Sequence, residues 1–113
     1  MLIQFQREVE SPLNCIPAQQ SRSGDTVLVN YRGFLADGTV FDTNQGQDPL
    51  SFQLGSGQVI SGWERGLVRT CPGEQVVMII PPDLGYGEKG AGNGVIPGGA
   101  TLYFITTLQG VIR

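Results

Sequence analysis

The chain has 113 residues, 40% of them apolar and 15% charged, with a net charge of −3. That is enough for one hydrophobic core and too little for two, so residues 1–113 are expected to form a single domain. Seven scattered basic residues cannot neutralise a run of phosphates, which excludes nucleic acid as a partner, and no apolar run approaches the ~20 residues of a membrane span.

The chain contains no histidine. This removes the usual general base and the usual zinc ligand together. The ten acids show no calcium-loop spacing, so no metal and no cofactor are expected. An enzyme built from this chain must perform chemistry that needs no strong base. The N-terminal stretch MLIQFQREVE has neither a basic flank nor an apolar h-region, so as written it is not read as a signal peptide.

In chain order, residues 2–8 alternate roughly between apolar and polar, as a strand covered on one face would. TVLVNYRGF (26–34) alternates more clearly, with Val27, Val29 and Tyr31 on one face. ADG (36–38) is a turn signal, and TVFDT after it returns as the second arm of a hairpin. LSFQL (50–54) places Leu50, Phe52 and Leu54 together. The β-branched run QVVMII (75–80) reads as a strand buried on both faces, ended by Pro81-Pro82. TLYFITTL (101–108) alternates again, making five or six short strands. One helix interrupts them. Ser61 is its expected N-cap, with Glu64 completing a capping box, and Gly73 after Pro72 its expected stop. Trp63 and Leu67, four apart, share its apolar face. One short helix against an antiparallel sheet gives an α+β fold. Seventeen glycines gather at 54–57, 85–94 and 97–99, in loops that turn sharply or approach a ligand with bare backbone.

Cys15 and Cys71 have no metal-like spacing and form no CxxC motif. Taken alone they fit two buried thiols or one disulfide; a reactive thiol fits less well without a histidine to activate it.

Four blocks, VNYRGFLADGTVFDT, FQLGSGQVISGWERGL, IIPPDLGYGEKG and IPGGATLYF, together resemble the FKBP family of peptidyl-prolyl cis-trans isomerases, the macrolide-binding immunophilins. The resemblance spans nearly the whole chain and is closest to the secretory-pathway branch. It implies a curved antiparallel sheet of about five strands wrapped around one short α-helix, with the active site between them. It implies a bridge between Cys15 and Cys71, and a location in the endoplasmic reticulum or secretory pathway, with the cytoplasm as the alternative. Its catalytic residues would be Tyr31, Phe41, Asp42, Trp63, Tyr86 and Phe104, with Trp63 as the floor of a proline pocket. Leu50, Val59, Ile60 and Ile96 would bind substrate or ligand. The implied partners are proline-containing polypeptides and macrolide inhibitors of the tacrolimus and rapamycin type, met by a monomer. The alternative is a catalytically weak docking module that keeps the fold.

The chain departs from the family pattern at three places. Leu50 stands where most members carry Phe. The segment TNQGQDP (43–49) has no arginine to pair with Asp42, and the glycine-rich loop after Tyr86 has no histidine and is one residue longer.

Overall fold

The computed structural model describes residues 5–10 and 15–113. Among them, six strands form one antiparallel sheet: β1 (Gln6–Glu10), β2 (Thr26–Phe34), β3 (Val40–Thr43), β4 (Leu50–Gln53), β5 (Gln75–Ile80) and β6 (Leu102–Ile112). Their order is β1-β5-β6-β2-β3, with β4 also paired to β2. One α-helix, α1 (Ser61–Gly66), packs on the sheet face that carries the core. The α+β fold expected from the sequence is the one observed.

The alternating strands bury the residues that their period selects. Val27 and Val29 of β2, and Leu102, Phe104, Thr106 and Leu108 of β6, all face the core. The Thr106 hydroxyl is accommodated there because it donates to the Val76 carbonyl at 2.8 Å. The first strand covers 6–10 rather than 2–8, and residues 2–4 lie outside the described residues. β5 also differs from expectation. Val76, Met78 and Ile80 are buried, but Gln75, Val77 and Ile79 are only half-buried. Its outer residues are shielded by cross-strand pairs, Val77 with Ile105 and Ile79 with Tyr103, and not by a second layer.

β2 changes partner along its length. Its first half pairs with β4, from Thr26 to Val29, and its last part with β3, from Arg32 to Phe34. The buried side chain of Asn44 fills the gap between them. Its amide donates to the Val29 carbonyl at 2.9 Å, and its oxygen accepts the Tyr31 N–H at 2.7 Å. Two backbone groups orphaned by the partner switch are thereby satisfied.

The helix is bounded differently from the sequence reading. Ile60 is its N-cap, Ser61 lies inside it, and no side chain caps its start. The Glu64 carboxylate accepts the Gly55 N–H instead, tying the helix to the loop before it. The helix ends at Gly66, well before Gly73, whose N–H is engaged by the Leu108 carbonyl. Residues remote in sequence meet its terminal carbonyls. Arg7 Nε donates to Gly66 at 2.7 Å, Arg7 Nη2 to Val68 at 3.3 Å, and Ser21 Oγ to Leu67. Tertiary capping of this kind is what a six-residue helix requires, since it cannot sustain itself.

A Cys15–Cys71 disulfide joins the segment before β2 to the segment after α1, with the Cα atoms 5.8 Å apart. The implied bridge is thus present. The buried Glu74 carboxylate accepts the Cys71 N–H at 2.7 Å and holds that turn.

Two stability predictions follow from these contacts. Reducing the disulfide, which closes a separation of 56 residues, should lower the unfolding free energy by roughly 4 kcal/mol in the chain-entropy model, seen as a lower urea midpoint in reductant. Gly62→Ala would place a methyl 2.6 Å from Ile80 Cδ1 and Cγ2. Forcing the helix off the sheet in this way should cost about 1–3 kcal/mol, readable as a drop in thermal midpoint.

Candidate active site

A cavity of about 400 Å³ opens between α1 and the sheet. Its base is Trp63, which belongs to the hydrophobic core and also lines the cavity; only 4% of the residue is exposed. The position follows from the helix. Gly62, Trp63, Gly66 and Leu67 form one buried face, and the two glycines bring it hard against β5. Three rings fix the indole. Tyr31 lies 5.0 Å away, Phe104 5.3 Å and Phe52 5.8 Å between centroids, the first two nearly edge-on. The indole nitrogen is buried with no hydrogen-bond partner among the described residues, so the ring is held by packing alone.

Phe41 packs edge-on against Phe104 at 5.5 Å and completes the aromatic wall. Both crowd over Gly33, where a Cβ would lie 2.6 Å from Phe41 and 2.8 Å from Phe104. Phe41 and Asp42 are adjacent in β3, and neighbours in a regular strand point to opposite faces. Here both line the cavity. The reason is a bulge: Gly33 pairs with Asp42 and Phe34 with Val40, which leaves Phe41 as the extra residue.

The Tyr31 hydroxyl donates to Asp42 Oδ2 at 2.7 Å. Desolvation holds the Tyr31 phenol well above its ordinary pKa, with the Asp42 hydrogen bond and negative charge adding to it. Tyr86 is raised for the same two reasons, burial first and the Asp42 charge second. Tyr86 stands on the glycine-rich loop with its hydroxyl unpaired among the described residues. That loop is shaped by close backbone approach. Ala91 bridges Ile96, and Gly90, at φ +68°, leaves no room for a Cβ beside the Ile96 carbonyl.

Leu50, Val59 and Ile60 line the cavity as the sequence suggests, Leu50 at the mouth with 39% of its surface exposed. Ile96 does not. It packs in the core and is absent from the lining. One lining residue escaped the sequence reading, Gln58. Its place immediately before Val59 and Ile60 was the available signal. Its Oε1 accepts the Gln53 N–H at 2.9 Å, which anchors the loop to β4.

Comparison with known proteins decides the family. Residues 18–109 match the model of the FKBP-type peptidyl-prolyl cis-trans isomerase domain. The chain belongs to that family. It is 55% identical over 93 residues to peptidyl-prolyl cis-trans isomerase FKBP15-2 of Arabidopsis thaliana, an alignment covering 81% of this chain and 56% of that protein. It is 50% identical over 103 residues to FK506-binding protein 2 of Yarrowia lipolytica, covering 89% and 69%. Human peptidyl-prolyl cis-trans isomerase FKBP2 is 50% identical over 95 residues, covering 83% and 66%. The crystal structure of a peptidyl-prolyl isomerase from Pseudomonas syringae superposes with a TM-score of 0.80 at 31% identity, covering 96% of this chain and 76% of that one. The chain therefore spans little more than half of the Arabidopsis FKBP and about two thirds of the other two relatives.

The tyrosine environment of this FKBP domain gives a pH prediction. Tyr31 and Tyr86 are raised in the folded state, so their contribution to stability is complete below pH ~10, where the unfolded phenol begins to ionise. Above that pH the unfolded chain loses its protons first, and stability should fall progressively. Ultraviolet absorbance titration should show Tyr31 and Tyr86 ionising late. Asp42→Asn should bring both partway down, leaving the desolvation component.

Proposed function

We propose that this domain accelerates cis–trans rotation about X–Pro bonds in polypeptides, and that the pocket on Trp63 is where it does so. The observation that carries the reading is an open cavity floored by an indole and walled by edge-on Tyr31, Phe41 and Phe104, with one carboxylate at its margin.

Rotation is slow because the amide C–N bond has partial double-bond character, with a barrier of ~20 kcal/mol. Twisting removes the resonance and with it much of the charge separation between oxygen and nitrogen. The planar amide therefore loses more than the twisted one on leaving water for an aromatic pocket, and this difference lowers the barrier. A thousandfold acceleration needs only about 4 kcal/mol. No covalent bond is made or broken, which suits a chain without histidine. Trp63 packs under the proline ring. Tyr31, Phe41 and Phe104 hold the carbonyl region by shape, and Asp42 orients Tyr31. The Ile60 N–H and the Tyr86 hydroxyl, both without partners among the described residues, donate to substrate carbonyls and keep the chain in a turn.

Macrolides of the tacrolimus and rapamycin type are proposed to occupy the same pocket. The name FK506-binding protein 2 borne by relatives supports this. The Cys15–Cys71 bridge and the FKBP2 relatives favour an oxidising, secretory compartment.

Asp42→Val tests the site assignment. Asp42 is exposed, and among the described residues its side chain makes no hydrogen bond besides the one to Tyr31, so the fold should survive. kcat/KM on a proline peptide should fall at least tenfold with an unchanged circular-dichroism spectrum. Full activity in this variant would refute the assignment. A wild-type protein that left the peptide at its uncatalysed rate would favour the docking-module alternative.

A further inference from the structure

The glycine-rich loop after Tyr86 carries a chemical site apart from the cavity. The chain has one Asn-Gly pair, Asn93-Gly94, at the tip of the turn closed by the Ala91–Ile96 bridge. We infer that Asn93 is a site of spontaneous deamidation in the folded domain, where it converts to aspartate and isoaspartate.

The reaction is intramolecular. The Gly94 backbone nitrogen gives its proton to hydroxide or water and attacks Cγ of Asn93. The N–Cγ bond forms, the Cγ–Nδ2 bond breaks, and ammonia leaves with a proton returned by solvent, which closes a succinimide ring. Water then opens the ring. Breaking the N–Cγ bond gives aspartate. Breaking the bond from that nitrogen to the main-chain carbonyl carbon gives isoaspartate, in which the chain runs through Cβ and Cγ. One water is consumed and one ammonia released, and nothing is oxidised or reduced.

The turn brings this step within reach. Asn93 has φ 55° and ψ 41°, Gly94 has φ +94°, and the Val95 N–H donates to the Gly92 carbonyl at 3.2 Å. These mark a type I′ β-turn with Asn93 and Gly94 at its centre. In it the Gly94 nitrogen lies trans to Cβ of Asn93, away from Cγ. Turning the 93–94 peptide over gives a type II′ turn, with ψ of Asn93 at about −120°, and swings the nitrogen alongside Cβ. No hydrogen bond opposes the flip. The Asn93 carbonyl and the Gly94 N–H have no backbone partner among the described residues, and the Gly92–Val95 bond is common to both turns. A Cβ at Gly94 would meet nothing within 4 Å, and glycine accepts φ of either sign. Gly92, Asn93 and Gly94 are all exposed to the water that the reaction consumes.

The other candidates among the described residues are held. Asn44 is buried, its amide donating to the Val29 carbonyl and its oxygen accepting the Tyr31 N–H. Asn30 donates to the Asn44 and Gln47 carbonyls, and the nitrogen that would attack it, that of Tyr31, is the one committed to Asn44. Asp37-Gly38 has no amide to lose. The Thr39 N–H donates to Asp37 at 2.9 Å and keeps its carboxylate ionised, the form that does not cyclise.

The test incubates the folded, oxidised protein at mildly alkaline pH beside the same chain unfolded in denaturant. Peptide mapping by mass spectrometry locates each amide-to-acid conversion. Isoaspartate is counted with an isoaspartyl methyltransferase and labelled S-adenosylmethionine. A more acidic form of the folded protein should accumulate on anion exchange, with both the conversion and the methyl label at residue 93. In the folded protein Asn93 should convert roughly tenfold or more faster than Asn30 or Asn44, which must first give up hydrogen bonds. Asn93→Gln, whose closure needs a larger ring, should abolish the acidic form and the label with an unchanged circular-dichroism spectrum. An Asn93 that stays an amide in the folded protein, whatever the unfolded chain does, would overturn the inference. Conversion of Asn30 or Asn44 at an equal rate would overturn it too.

Discussion

The close approach of α1 to β5 is the constraint on which the site depends. Gly62 and Gly66 are four apart, so they present one bare strip of backbone to Ile80 and Met78. A methyl at either position would have to displace a core side chain. With both absent, the helix sits low enough for Trp63 to enter the core and still form the base of an open cavity. The helix itself is too short to be stable alone. Its C-terminal carbonyls are held by Arg7 from β1 and Ser21 from the segment before β2, and its first turn is tied by Glu64 to the preceding loop. The floor of the pocket is thus set by contacts from β1, from the segment before β2 and from the loop before the helix.

The opposite wall depends on irregularities in the sheet. A perfectly regular β2–β3 pair would turn Phe41 and Asp42 to different faces. The bulge after Gly33 aims both into the cavity, and Gly33 itself leaves room for Phe41 and Phe104 to meet. The partner switch along β2, bridged by Asn44, lets β3 and β4 share one strand, so that Tyr31 and Leu50 line the same opening. The partner switch interrupts the hydrogen-bond ladder locally, and the Asn44 side chain compensates it.

The fold was largely legible because its strands obey simple rules. The period of two in TVLVNYRGF and TLYFITTL marked the buried rows correctly, down to Thr106. The helix was found through Trp63 and Leu67, but its limits were not. A capping box is a local signal, whereas here Arg7 and Ser21, remote in sequence, supply the hydrogen bonds that bound it. The sequence of QVVMII does not reveal that its second face is half-open, because β-branched content does not distinguish a second layer from cross-strand cover. Most of the pocket was legible only through family resemblance, since composition alone cannot separate a wall residue from a core residue. Ile96 shows the limit: a residue of the right type in the right loop packs in the core and is absent from the lining. Gln58 shows the converse. A polar residue with no motif of its own reaches the lining because its carboxamide is tied to Gln53.

Asp42 then acquires a second meaning beside its hydrogen bond. A carboxylate at the edge of an apolar pocket is costly unless solvated or paired. This one stays exposed, which spares it the desolvation penalty and leaves its charge facing whatever enters. The Tyr31 phenol, raised in pKa first by its own burial, remains a proton donor across the physiological range and keeps the carboxylate pointed toward the cavity. A reaction that only twists an amide asks for dry walls and a fixed shape. The charge at the rim transfers no proton to the bond being turned; its part in the proposed mechanism is to orient the Tyr31 hydroxyl. In the proposed reaction the rings of Trp63, Tyr31 and Phe104 supply the dry walls, and Asp42 fixes the orientation of one of them. Among the described lining residues that carboxylate is the one charged group, so the residue that accepts the Tyr31 hydrogen bond also sets the field at the mouth.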